Sequence, residues 1–408
     1  MSKVQLLQPR IRFSEFNSNW NKHKIGSVLG DIYRSVELLD NELYQLVTVK
    51  RRNEGVVPRS VIKGKNILVK NYFTIKSGDF LISKRQVVHG ANGIVPGSLD
   101  NAVVSNEYLV VTDSQEVSAK FWNTISKRPE IKKLYFISSY GVDIEKLVFD
   151  IADWKERYII APKLNEQRKI TYFFQNLDEQ IKLNHDKYRK FQQLKKAMLS
   201  NMFPKSGEKK PELRFPEFKG NWERKKLHEV ASFYSGLTYS PNDIVEYDGT
   251  LVIRSSNVQN GQLSFNDNIY VDSEVAYCSN IQVGDIIVVV RNGSKALIGK
   301  HAPVLTPMPN TVIGAFMTGI RTEQTSFLNA LLDTSLFQKA VERNLGATIN
   351  QITTGVFKDM EFDFPTDQNE QAKIGEYFQN IDRLIALQQQ KINKLKNIQQ
   401  ACLGKMFV

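Results

Sequence analysis

Cysteine is nearly absent: Cys278 and Cys402 are the only two in 408 residues. Two cannot build a disulfide framework, and they suit a reducing, cytoplasmic setting. Histidine is scarce as well. His23, His89, His185, His228 and His301 are scattered, with no HExxH and no Cys/His pair at zinc spacing. Each reads as a surface or packing histidine. No apolar run reaches the length of a membrane span, and the first ten residues have no signal-peptide character. Phosphate loops are missing too. The stretch Gly293–His301 has five residues between its glycines instead of four, and His301 stands where Ser or Thr should hold Mg²⁺. No GxGxxG occurs, nor the Asn/Asp-Pro-Pro-aromatic run used by amino-methyltransferases. These absences argue against bond chemistry on this chain.

Basic residues are abundant. Fifty-five Lys and Arg against forty-three Asp and Glu give a net charge of +12, with a pI near 9.4. Such an excess favours a polyanionic partner, although a basic surface without a ligand explains it equally well. The length predicts two or three domains, each able to bury its own core.

The dominant signal is an internal duplication. Arg12, Phe13, Glu15, Phe16, Asn19 and Trp20 recur as Arg214, Phe215, Glu217, Phe218, Asn221 and Trp222, 202 positions later. Residues 165–178 match residues 369–382 at nine of fourteen positions, where composition alone would give about one. Residues 194–203 match 398–407. Between these blocks, residues 21–161 and 223–364 agree only faintly: Gly78-Asp79 aligns with Gly284-Asp285, Lys50 with Arg254, Trp154-Lys155 with Phe357-Lys358, and Pro162 with Pro365. A nearly constant frame therefore carries two diverged domains.

The frame predicts two long helices. After Pro162, apolar residues fall at Ile170, Phe173, Leu177, Ile181, Tyr188, Phe191, Leu194 and Met198. After Pro365 they fall at Ile374, Phe378, Ile381, Ile385, Ile392, Leu395, Ile398 and Cys402. Steps of three and four mark one helical face. Each helix should run about 35 residues, or ~50 Å. Asp367 with Glu370 fits a capping box. The duplication makes each stripe the natural antiparallel partner of the other. The expected class is α+β: two mixed α/β domains separated by two long antiparallel helices, with a pseudo-twofold duplication. The expected bounds are 1–162 for the first domain, 163–205 for the central helix, 206–365 for a linker and the second domain, and 366–408 for the last helix. Segment 1–20 is equivalent to the linker 203–222. The central segment carries ten Lys/Arg against four Asp/Glu, which reads as solvated helix surface or as a face for phosphates or an acidic partner.

In the first domain, Tyr44–Val49, Phe80–Ile82 and Tyr108–Val111 read as strands, and Phe121–Lys133 as a helix. In the second, Thr250–Arg254, Gly284–Val290 and Val312–Phe316 read as strands, and Phe327–Asn344 as a helix. Basic and amide residues gather where strands end. Lys50, Arg51, Arg52 and Asn53 follow one strand, and Lys84, Arg85 and Gln86 another. Arg254, Ser255 and Asn257, then Arg291, Asn292, Ser294 and Lys295, occupy comparable places in the second domain. Arg and Lys suit guanine edges and phosphates, and Asn and Gln suit adenine. Any one cluster is equally an ordinary charged turn; four in comparable places point to nucleic acid.

With these residues in view, the chain resembles the specificity (S) subunit of type I restriction–modification enzymes. The carriers are Pro162…Glu166-Gln167 and Pro365…Glu370-Gln371, each opening a long helix, together with the two Arg-Phe…Phe…Trp repeats. The resemblance covers nearly the whole chain. It implies a non-catalytic, cytoplasmic DNA-binding subunit without a membrane segment. Its two target recognition domains would each read half of a bipartite, asymmetric site in double-stranded DNA, with the helices as a ruler. It also implies two methyltransferase (M) subunits and restriction/motor (R) subunits as partners. S-adenosylmethionine, ATP and Mg²⁺ would belong to those partners, leaving no cofactor on this chain. One departure is Glu54–Ser60, an extension in the first domain with no counterpart in the second. Two other classes remain: a coiled-coil scaffold or RNA-binding adaptor, and a nuclease of unrecognised type.

Overall fold

The computed structural model describes residues 7–68, 71–345 and 350–408; the first six residues of the 1–20 segment lie outside it. The chain forms two compact units, Met1–Asn184 with Lys391–Val408, and His185–Gln390. Among the described residues no helix is long and apolar enough to cross a membrane.

In the first unit the principal strands are β1 (Asn21–Lys24), β2 (Leu43–Lys50), β3 (Gly55–Lys63), β4 (Phe80–Ser83), β5 (Asn92–Ile94), β6 (Val103–Ser105), β7 (Tyr108–Thr112) and β8 (Tyr158–Ala161). An antiparallel sheet runs Gly30–Asp31, β7, β4, β5. A second sheet runs Ser35–Val36, Tyr72–Thr74, β6, β2, β3, and within it only β2 and β6 are parallel. Strand β4 is apolar at every position up to Ser83, because both of its faces are covered. Phe80 and Ile82 join the helix-side core with Trp20, Trp122 and Trp154, whereas Leu81 joins Val47, Val49 and Val104 between the sheets.

The second unit repeats this arrangement with β9 (Glu223–Lys226), β10 (Thr250–Ile253), β11 (Ile286–Val289), β12 (His301–Pro303), β13 (Thr311–Ile313), β14 (Met317–Arg321) and β15 (Glu361–Phe364). One sheet runs Ser232–Ser235, β14, β11, β12, and the other Ile244–Val245, Ile269–Val271, β10, β13. Strands β10 and β13 are again the parallel pair. Ile286 and Val288 face the helix side, and Ile287 and Val289 face the other sheet. The unmatched Glu54–Ser60 extension is the turn and first part of β3, which pairs with β2 along its length.

The small helices differ from the sequence expectation. Phe121–Lys133 is two helices, Ala119–Ile125 and Pro129–Ile137, because Pro129 cannot continue a helix but starts one well. Phe327–Asn344 is likewise Thr325–Leu332 and Ser335–Asn344; Thr334 caps the second, its hydroxyl accepting from the Phe337 N–H at 3.3 Å. Each break makes a corner, at Lys127 in one unit and Asp333 in the other.

The long helices are Leu164–Asn201 and Gln368–Lys405, 38 residues each. Their most deeply buried apolar residues are Ile170, Phe174, Ile374, Phe378, Ile381 and Ile392, whereas Leu194 and Ile398 of the expected stripes are exposed. In the first unit the start of one helix lies against the end of the other: Gln399 donates to Asp178 at 2.6 Å, and the Ile11 N–H to the Lys405 carbonyl at 2.9 Å. In the second unit Lys195 donates to Asp382 at 2.5 Å, and Phe203 packs on Phe378. The helices therefore run antiparallel within each unit.

The repeated motifs have a physical cause. Arg12 donates through Nε and Nη2 to the two carboxylate oxygens of Glu166, both at 2.7 Å, and the Trp20 indole N–H donates to Glu166 at 3.3 Å. Arg214, Glu370 and Trp222 repeat this clasp with the same distances. Lys169 pairs with Glu15 and sits over the Phe13 ring, as Lys373 pairs with Glu217 and sits over Phe215. Gln167 and Gln371 each donate to the carbonyl of the proline before their helix, Pro162 and Pro365. The capping-box expectation is corrected here. Asp367 accepts from the Asn369 N–H, but the Glu370 carboxylate is committed to Arg214 and Trp222.

Candidate nucleic-acid interface

In the first unit the turn between β2 and β3 is Arg51–Glu54. Arg52 and Asn53 hold left-handed backbone angles, φ 60° and 58°. Asn tolerates that region; Arg adopts it at a cost. Docking holds the turn in place. The N–H groups of Arg52 and Asn53 donate to the carbonyls of His89 and Gly90 at 2.8 Å, and the Asn53 amide donates to Asn92 at 2.9 Å. His89 and Gly90 belong to the loop that follows β4, which also carries Lys84, Arg85 and Gln86. Two clusters separated in sequence thus become one surface. Lys50, Arg51, Arg52 and Arg85 are exposed on it, and Lys84, Gln86 and Asn53 are half-buried. Burial pushes the Lys84 ammonium below its usual pKa, against the opposing pull of Glu107.

Arg51 is paired with Glu145 at 2.7 Å and Arg85 with Glu107 at 2.9 Å, all roughly half-exposed. Such surface pairs are worth at most about 1 kcal/mol, so a phosphate can displace the carboxylate. Lys50 and Arg52 have no ion-pair partner among the described residues.

The second unit joins its clusters differently. Asn292 donates to the Ser255 hydroxyl at 2.9 Å, tying the loop after β11 to the loop after β10. Arg254 donates to Asp267 at 2.9 Å. Arg291 is exposed and stacks over the half-exposed Phe316 ring at 4.8 Å. Ser294 and Lys295 are exposed at the start of the next turn. Asn257 is corrected as a base-facing candidate. It is fully buried; its oxygen accepts from the Arg254 N–H, and its amide donates to the carbonyls of Ser264 and Asp267. Asn257 braces the loop that presents Arg254.

A third segment completes each surface, and the sequence reading did not find it. In the first unit the segment after Pro129–Ile137 meets both clusters: the Phe149 N–H donates to the Lys84 carbonyl, and Glu145 pairs with Arg51. In the second, Asn350 donates to the Gly293 carbonyl, and Gln351 bridges to Arg291. The Gly-Asp pairs also have a role below the surface. Asp79 and Asp285 are buried, each held by an arginine through both oxygens: Arg34 at 2.6 and 3.0 Å, and Arg321 at 2.8 Å twice. Arg34 and Arg321 come from different places in the two sequences, so alignment does not reveal them.

Residues 219–397 match the family model for the type I restriction modification DNA specificity domain. No curated protein matches the chain significantly. Among solved structures, the S subunit of a type I restriction-modification system from M. genitalium is similar over 98% of this chain and 99% of its own, with 16% identity and a TM-score of 0.64. A structure described as the basis of complex assembly and conformational transition of the type I R-M system is similar over 95% and 97%, with 19% identity and a TM-score of 0.50.

Proposed function

We propose that this chain is a specificity subunit of a type I restriction–modification system, and that it reads a bipartite asymmetric site in double-stranded DNA, one half-site with each unit. In this reading the chain recognises DNA and is not itself an enzyme; its second unit matches a DNA specificity domain. One observation carries the reading. In both units the loop after the parallel-pair strand and the loop after the buried central strand converge into one basic surface, through Arg52 and Asn53 with His89 and Gly90, and through Ser255 with Asn292. The position is kept while the residues differ, as two readers of different sequences require. In this reading the chain brings two methyltransferase subunits and the restriction/motor subunits to the site. S-adenosylmethionine, ATP and Mg²⁺ act on those partners.

Alanine at Lys50, Arg51, Arg85, Arg254 and Arg291, one at a time, tests the surface. Loss of a base-reading arginine should cost about 1–3 kcal/mol and relax one position of the site, while loss of a phosphate contact should weaken all duplexes alike and flatten the salt dependence. Duplex titrations at several salt concentrations, with an RNA of equal length as comparison, measure this. Unchanged affinity and salt slope in all five variants removes the assignment, and equal affinity for RNA returns the adaptor reading.

Exchanging residues 223–364 for the corresponding segment of another such chain should change one half-site and leave the other as it was. Methylome sequencing of a host that expresses the chimaera with a methyltransferase subunit reads the outcome. A change in both half-sites contradicts independent readout.

A further inference from the structure

We propose that Tyr140, Val142 and Ile144 form an apolar reading edge that contacts thymine C5-methyl groups in the half-site read by the first unit. The inference rests on the DNA-recognition reading above. The three residues lie on a small hairpin in which Ser139–Tyr140 pairs with Val148–Phe149. Gly141, at φ 151°, turns the chain out at its tip. Val142 is fully exposed, and Tyr140 and Ile144 are 62% and 55% exposed. Three alternate apolar side chains on one short segment are thus left mostly in water.

The surroundings choose the occupant. Glu145 pairs with Arg51, the His89 ring meets the Ile144 carbonyl at 3.3 Å, and the Phe149 N–H donates to the Lys84 carbonyl. The loop is thereby anchored to both basic clusters, beside Lys50, Arg52 and Arg85. Glu145 is offset by Arg51, and Asp143 turns a carboxylate oxygen back to the Glu145 N–H. The apolar tip, with Phe136 and Ile137 half-exposed on the helix before it, is small for a stable protein interface and is set in a cationic rim. It fits a polyanion whose groove displays an apolar group, and the thymine methyl is that group. At the matching place in the second unit, the Asn350 amide donates to the Gly293 carbonyl and Gln351 bridges to Arg291.

The test uses the full chain and a duplex that it selects from a random pool. The half-site that changes when residues 21–161 are exchanged is assigned to the first unit. Thymidine is then replaced by deoxyuridine, one half-site at a time, which removes only the methyl and keeps the pairing. Binding should weaken about four-fold for each contacted methyl, the value of one buried carbon. The loss should be confined to the first unit's half-site. Val142→Ser and Tyr140→Ser, both at exposed positions, should weaken binding to the thymidine duplex and abolish the difference between the two duplexes. Indifference to deoxyuridine, a first-unit half-site without thymine, or variants that bind DNA normally but lose a methyltransferase subunit each overturns the proposal. If the native chain prefers no duplex, the DNA-recognition reading itself fails. Preference without deoxyuridine sensitivity sinks only the reading edge.

Discussion

Glu370→Ala is expected to lower the free energy of unfolding by about 3–5 kcal/mol, the usual result of removing one partner from a buried ion pair. Glu370 is 1% exposed and accepts from both Arg214 nitrogens and from the Trp222 indole. Its loss strands a guanidinium that is itself largely covered, and an indole N–H, without their acceptor. Glu370→Gln should cost less, since it keeps an oxygen for Trp222 and one bond to Arg214. The double variant Arg214→Met/Glu370→Met should recover much of the loss, because apolar replacement of a whole buried pair is often neutral. Urea unfolding measures all three. Glu166→Ala should behave alike in the first unit, through Arg12 and Trp20. A loss below 1 kcal/mol in both units would show that the clasp is incidental.

Lys195→Met should be nearly as costly at neutral pH, about 3 kcal/mol, and its cost should depend on pH. Lys195 bridges Asp333 at 2.6 Å and Asp382 at 2.5 Å, and His301 approaches Asp333 at 3.4 Å. Burial pulls the Asp333 carboxyl upward, but His301 and Lys195 outweigh it and hold the group down to about 2. Burial raises Asp382 above its usual value despite Lys195. His301 is opposed by its burial, yet Asp333 raises it. A depressed carboxylate stabilises above its unfolded value and loses that contribution as pH falls, here between about 4 and about 2. A raised histidine stabilises below its unfolded value and loses that contribution as pH rises through the folded one. Without Lys195, two partly buried carboxylates face each other. Asp382, already raised, then takes up a proton more readily, so the deficit should shrink on acidification from pH 7 to 5. Melting temperatures across that range measure it, and a deficit that grows on acidification would reverse the argument.

The frame was legible in the sequence because its residues are coupled in fixed geometry. A glutamate that must meet an arginine and an indole at once leaves no freedom to drift, so Arg12, Trp20 and Glu166 recur as Arg214, Trp222 and Glu370. That they touch was not legible, since positions 154 and 156 apart carry no mark of contact. The same blindness produced the capping-box error: Glu370 has the right spacing for a cap, but a buried guanidinium competes more strongly for its carboxylate. Strand positions were readable from apolar runs such as Phe80–Ile82. The helix breaks were signalled by Pro129 and Thr334, yet continuous apolar spacing masked them. The basic clusters were placed at strand ends from sequence. Their convergence, and the inward turn of Asn257, depend on Ser264, Asp267, His89 and Gly90, residues with no chemical signal of their own.

The corners at Lys127 and Asp333 bear on how chains of this kind can be recombined. In the first unit the corner supplies the cation: Lys127 bonds Asp178 on the first long helix at 2.8 Å, and Gln399 completes the contact from the second. In the second unit the corner supplies the anion, and the cation has moved to Lys195 on the helix. Each domain thus carries a charge cut to its own seat. A domain ending its first small helix in lysine, grafted at the second position, would set a second ammonium beside Lys195, with Asp382 left to offset both. A domain exchanged into that position should therefore be accepted more readily with an acid at the corner than with lysine there, whatever the surface it carries.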